Sequence, residues 1–285
     1  MSELRIGTIQ TMKVLRKIDT GYVLEKDMSE ALLHHNETEN KLEENQEVDV
    51  FLYTDKKGQT IATTKLPSIH RDVYGWAEVA EVLKNLGAFV NIGTPKEILV
   101  SIDNLPVYEN VWPAAGDKLY VTLGTDQKGR LLAIPASEGI VDIQCVGAPV
   151  EALNQTFSGR VYRTDKEGTV ILTEENYRGF IHHTERKVEP RLGEWVTARV
   201  IEVKNDGSLN MSLRPLKQQG MLEDADTILQ HLKENNGVIP FSDKSDPDDI
   251  QGIFNISKSA FKRALGKLMK EGKIEQHGGA THLKE

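Results

Sequence analysis

Through the first three quarters of the chain, short runs rich in Val, Ile, Leu and Thr alternate with polar positions and stop at clusters of Asp, Asn and Gly. That is the period and punctuation of β-strands. The pattern occurs three times. GYVLEK, from Gly21, leads to EALLHHNE and then to VDVFLYTDKKGQTIATTKLP; GAFVNIG, from Gly87, leads to EILVSIDNLP and then to LYVTLGTDQKGRLLAIP. The third copy runs GTVILTEE, from Gly168, through GFIHHTE to VTARVIEVKNDGSLNMSLRP. Each copy has a β-rich lead segment, a Gly-led strand, a strand ending near His or Ser, and a terminal hairpin turned by DKKG, DQKG or NDG. Five short strands in about 60 residues close most economically into an OB-fold barrel, which removes most exposed sheet edges.

From Gly220 the period becomes helical. MLEDADTILQHLKEN predicts a helix with Leu222, Ala225, Ile228, Leu229 and Leu232 on one face and a stop near Gly237. A second short helix is predicted near Asp246, with Pro247 in its first turn. With Ser257 as N-cap, a third helix gathers Phe261, Leu265, Leu268 and Met269 on one side and Arg263, Lys267 and Lys270 on the other. GKIEQHGGATHLKE then reads as two short strands around Gly278 and Gly279. The expected architecture is mainly β and multidomain: OB barrels over 1–66, 67–135 and 159–216, a short helical linker over 136–158 that serves as spacing, and an α+β domain over 217–285.

Composition narrows the function. The 285 residues are 39% hydrophobic and 27% charged, with one cysteine, Cys145. No apolar run reaches the roughly 18 residues of a membrane span, and the N-terminus lacks a secretory h-region. The expectation is a cytoplasmic protein without a membrane partner. The net charge of −8 is not that of a polycation. Residues 1–158 hold 15 Lys and Arg against 23 Asp and Glu, whereas 159–285 hold 20 against 20. Residues 257–273 carry six positive side chains against one acid, Glu271, more than solvation of a helix face requires. On this arithmetic the attraction for a polyanion concentrates in the C-terminal half.

GAFVNIG, GFIHHTE and NDGSLNMSLRP resemble the strand signatures of the S-one domain, an RNA-binding OB-fold. Three helices and a hairpin resemble a winged helix, whose third helix often enters a nucleic-acid groove. Over the full length, with DKSDPDDI and SKSAFKRALGKLMKEGKI, the chain resembles the conserved virulence factor B family of bacterial RNA-binding regulators. That resemblance implies single-stranded RNA as partner and an effect on gene expression after transcription. It implies base stacking on Phe89, which strand alternation places opposite Ala88, Val90 and Ile92. It also implies RNA contacts by Asp126 and Arg130, which could equally be hairpin residues, and by His34 and His182 at the strand-three histidine. Ser101 stands there in the second copy, and Val23 and Val170 replace Phe89 in the others, so no copy keeps the whole set. Phe180 completes the barrel candidates, and Lys258, Lys262, Arg263, Lys267 and Lys270 those of the basic helix.

The His34-His35 and His182-His183 pairs invite a metal, but neighbouring strand residues point to opposite faces, and no Cys-x-x-Cys or His-x-x-x-His set accompanies them. With no nucleophile elbow, phosphate loop or zinc-protease motif, the reading is of a non-enzyme without cofactor or small-molecule substrate. Two alternatives stay open at this level: a DNA-binding transcription regulator acting through the winged helix, and a protein-interaction adaptor.

Overall fold

The computed structural model describes residues 4–55, 57–215 and 217–284. Among these residues the strands form three closed five-stranded barrels and one three-stranded sheet. The first barrel comprises β1 (Ile9–Ile18), β2 (Gly21–Lys26), β3 (Ser29–His34), β4 (Glu47–Thr54) and β5 (Thr60–Thr63). The second comprises β6 (Gly75–Leu83), β7 (Gly87–Asn91), β8 (Ile98–Ser101), β9 (Lys118–Thr125) and β10 (Leu131–Pro135). A short helix, α1 (Glu138–Asp142), precedes the third: β11 (Thr156–Thr164), β12 (Gly168–Thr173), β13 (Arg178–His182), β14 (Trp195–Val203) and β15 (Leu209–Ser212).

All three barrels close in the same order, the third strand lying parallel to the fifth. The long first strand shifts register between Val14 and Arg16, Val79 and Glu81, and Val161 and Arg163. The extra residue bends it so that it pairs with both the second and the fourth strand. Gly21, Gly87 and Gly168 pair with His34, Ser101 and His182, so the second and third strands keep one register in all three copies. At Gly87 φ is +132°, and a Cβ would sit 2.1 Å from the Val100 carbonyl oxygen. Only glycine fits that approach.

The alternation read from GAFVNIG holds: Ala88, Val90 and Ile92 are buried in the barrel core, while Phe89 is half-buried on the outside. Strand β4 is buried on both sides, Val50 and Leu52 in the first barrel's core and Phe51 and Tyr53 in the second's. The two barrels therefore share apolar packing through β4.

Residues 136–158 do more than set spacing. The Val146 amide donates to Asn176 O (3.0 Å), Ala148 to Gly207 O (2.9 Å) and Asn154 to Val200 O (3.0 Å), tying the segment along the third barrel. Strand β11 already begins at Thr156, inside the stretch read as linker.

The C-terminal domain holds α2 (Lys217–Glu234), β16 (Val238–Ile239), α3 (Pro247–Phe254), α4 (Lys258–Lys270), β17 (Ile274–His277) and β18 (Ala280–Leu283). It forms a compact unit of its own with Thr184–Lys187, separate from the unit of the barrels. Its core is Ala225, Ile228, Leu232, Ile250, Phe254, Phe261, Ala264, Leu265 and Leu268. Leu222 and Met269, expected inside, are 46% and 42% exposed. The buried stripe of α4 is centred on Phe261, Ala264 and Leu268, which puts Met269 past its edge; Leu222 likewise lies off the stripe of Ala225, Ile228 and Leu232.

Asp246 caps α3 by accepting from Asp248 N (2.8 Å), with Pro247 in the first turn, and Ser257 caps α4 by accepting from Ala260 N (3.3 Å). Loss of the second cap in Ser257→Ala is expected to destabilise this domain by about 1 kcal/mol, and Ser257→Asp to keep most of that stability. Thermal melts of the full chain check both; equal melting of Ser257→Ala and the parent would show that the cap contributes nothing.

Candidate nucleic-acid interface

Phe89 lines a cleft of about 440 Å³ between the first and second barrels. Its walls are Leu86, Ile98, Leu99, Leu131 and Leu132 from the second barrel and Phe51, Tyr53 and Thr54 from the first, with Lys96, Asp126 and Arg130 at the rim. An apolar slot edged by a few polar groups is the form that small planar ligands fill. Tyr53 is fixed in its wall, since its hydroxyl donates to Glu37 Oε1 at 3.0 Å and the Lys96 ammonium lies 5.3 Å from its ring centroid. Burial, reinforced by the Glu37 charge, pushes the Tyr53 phenol well above its ordinary range. Glu37 itself is 5% exposed, and its Oε2 has no hydrogen-bond partner.

Asp126 and Arg130 come together chiefly with each other. Asp126 Oδ1 accepts from the Lys128 and Arg130 amides, both at 2.9 Å, and Oδ2 from Arg130 Nε at 2.8 Å. The Arg130 amide, then its side chain, holds the Asp126 carboxyl below the usual range. Asp55 braces the matching turn of the first barrel in the same way, whereas Lys204 stands at that turn position in the third, its amide donating to Ser208 O (2.8 Å) and its carbonyl accepting from the Gly207 amide (2.9 Å). Asp126 is thus a turn residue shared with the first barrel, whereas Arg130 keeps an exposed guanidinium at the cleft rim.

The third barrel groups a different set. Phe180 registers with Val170, the counterpart of Phe89, so its aromatic sits on the neighbouring strand of the same outer face. Its ring lies 6.3 Å from His182 and 6.0 Å from the Lys204 ammonium. The rings of His182 and His183 are 4.2 Å apart, contrary to the opposite faces expected from alternation, because β13 ends at His182 and the chain turns there into a 3-10 helix. Among the described residues no group of three or more His, Cys, Asp or Glu is placed to hold a metal ion. His34 is half-buried at the end of β3.

On α4, Lys262, Arg263 and Lys270 are exposed. Lys258 reaches the Lys244 carbonyl oxygen (3.4 Å), and Lys267, expected among the free cations, ion-pairs with Glu271. Lys267 and then Lys273 hold the Glu271 carboxyl down to about 2. The freely presented charge is therefore Lys262, Arg263 and Lys270.

Four family models match the chain in succession. They are described as an S1 domain (residues 6–65), the CvfB first S1-like domain (74–134), the second domain of virulence regulatory factor CvfB (146–215) and a CvfB-like winged helix domain (226–283). Conserved virulence factor B of Staphylococcus haemolyticus (strain JCSC1435) is 36% identical over 284 residues, covering 98% of this chain and 94% of that protein. The chain belongs to the conserved virulence factor B family. A Bacillus subtilis (strain 168) relative, described as uncharacterized protein YitL, is 45% identical over 282 residues, 99% of this chain and 95% of that protein. A Streptococcus pneumoniae crystal structure, described as a multidomain protein with nucleic acid binding domains, is 38% identical, covers 98% of each chain and superimposes with a TM-score of 0.65.

In this member of the CvfB family, sequence reasoning missed Tyr53 and Lys96 of the cleft and Lys204 beside Phe180. The available signal was the unbroken apolar run VFLY in β4, since a strand without alternation is covered on both faces. Which neighbour covers it is a tertiary fact that the run does not carry.

Proposed function

We propose that this protein binds single-stranded RNA in the cytoplasm and regulates gene expression after transcription without catalysing a reaction. The observation that carries the reading is the Phe89 cleft, where a half-buried aromatic stands among apolar walls with Lys96 and Arg130 at the rim. Such a slot suits an unstacked base whose phosphates pass the cations. The exposed Lys262, Arg263 and Lys270 of α4 add a second positive surface, and membership of a family whose models are S1-like and winged-helix domains supports the same reading. Among the described residues no helix is long and apolar enough to cross a membrane.

Duplex bases are stacked and their edges paired, so a stacking cleft favours single strands. In competition binding with single-stranded RNA, single-stranded DNA and duplex DNA on the full chain, single-stranded RNA is expected to compete best. Preference for duplex DNA would transfer the function to the winged helix and a transcriptional role, and indifference to all three would favour a protein adaptor.

A further inference from the structure

The outer face of β11, β12 and β13 differs between the barrels in a way that points to a ligand. Arg16 of the first barrel and Arg163 of the third occupy the same register position, opposite Val23 and Val170. In the first barrel Arg16 is neutralised within its own sheet, its two terminal nitrogens each 3.2 Å from a Glu30 oxygen. Glu30 pairs with Glu25 on β2; in the third barrel the matching pair is Arg178 and Leu172. The acid has become a second arginine. The face thus carries two guanidiniums, of which Arg163 also has its Nε 3.3 Å from Asp165.

The missing carboxylate comes from outside the barrel. Glu138 of α1 bridges the pair, Oε2 accepting from Arg163 Nη1 and Oε1 from Arg178 Nη2, while Asp142 lies 3.7 Å from Arg178 Nε. The bridge spans β12, whose outward Val170 and Leu172 are 0% and 5% exposed, whereas Phe89 at the Val170 position of the second barrel is open to its cleft. A carboxylate held between two guanidiniums is the geometry in which arginines also take a phosphate.

We propose that Arg163 and Arg178 form a phosphate site on the third barrel for the backbone of single-stranded RNA, and that Glu138 fills it until RNA displaces the linker. The inference rests on the RNA-binding reading above. It assigns the segment 136–145 a function, that of an internal competitor with a phosphate-like charge. It also brings the RNA path onto the face that bears Phe180 and His182. Cys145, the chain's one cysteine, sits at the end of this segment, half-buried, its thiol pushed up by burial and then by the Asp142 charge. Its alkylation rate therefore reports whether the segment is seated.

The test uses the full chain and its variants Glu138→Gln, Arg178→Gln and the double variant, with a labelled single-stranded RNA and with inorganic phosphate. Glu138→Gln is expected to bind the RNA about three- to tenfold tighter, as for one partly exposed charge-assisted contact, with a salt slope close to the parent's because the same phosphate is met in both. The gain disappears in the double variant, and Cys145 is alkylated faster in Glu138→Gln without RNA and in the parent chain when RNA is added. Circular dichroism of each variant separates release of the segment from loss of fold. If the parent chain binds RNA and a folded Glu138→Gln binds it equally or less well, the inference fails and the RNA reading stands. If none of the chains binds RNA, both fail. If inorganic phosphate releases Cys145 as readily as RNA at equal phosphate concentration, the site is one for the free ion and the RNA assignment is overturned.

Discussion

Replacing Phe89 by alanine is expected to weaken single-stranded RNA binding by about 1 to 3 kcal/mol, the range for removing one base–aromatic stack. In equilibrium terms that is roughly fivefold to more than a hundredfold. The barrel should survive, because the neighbouring core positions Ala88 and Val90 face inward and Phe89 only lines the cleft. Its loss widens an open slot and leaves no sealed cavity, so melting should shift far less than for a core truncation. Phe89→Tyr and Phe89→Trp keep a ring face and should keep most of the affinity. Fluorescence anisotropy with labelled RNA, alongside a thermal melt, decides the matter. Unchanged affinity in Phe89→Ala, or a collapse of stability, would show that the cleft does not hold a base.

The second large effect concerns charge. The combined change Lys262, Arg263 and Lys270 to Ala should cost roughly tenfold or more in affinity at low salt and flatten the salt slope by about 2, near 0.7 for each phosphate of a single strand that is no longer neutralised. All three side chains are exposed while Phe261, Ala264, Leu265 and Leu268 form the packed side of α4, so stability should change little. Lys267 is left out because its pairing with Glu271 mixes a stability effect into the measurement. A triple variant with the parent's affinity and slope would show that α4 does not meet the phosphates.

The alternating pattern of GAFVNIG and the turn chemistry of DKKG, DQKG and NDG sufficed for the barrels, because side-chain period and turn residues are local properties. The same holds for the start of α3 near Asp246 and for the cap at Ser257. Less legible was whatever depends on a neighbour. Val50 to Tyr53 and Thr169 to Leu172 are runs buried on both faces, and one-dimensional pattern shows that a cover exists without naming it. Glu138 reads as a polar residue in a spacer, yet it meets partners 25 and 40 positions away in sequence. Lys267 and Met269 depart from expectation for a smaller reason, the exact edge of the helical stripe and an ion pair one turn away. The charge totals of the two halves also miss these pairings, which withdraw Arg163, Arg178 and Lys267 from the free positive charge. A fragment cut at 159 would remove the start of β11 and the Glu138 cover together, so substitutions in the full chain test the division of labour more cleanly.

The proposed RNA path crosses specific surfaces of this chain, and photo-crosslinking with a single-stranded RNA carrying photoreactive uridines, read out by peptide mass spectrometry, locates those surfaces without any substitution. Crosslinks are expected on the peptides that contain Phe89 and Lys96 and on those of α4 with Lys262, Arg263 and Lys270, and they should vanish when unlabelled single-stranded RNA competes. Crosslinks confined to other surfaces, or none from a chain that is folded and saturated with RNA, would refute the proposed path.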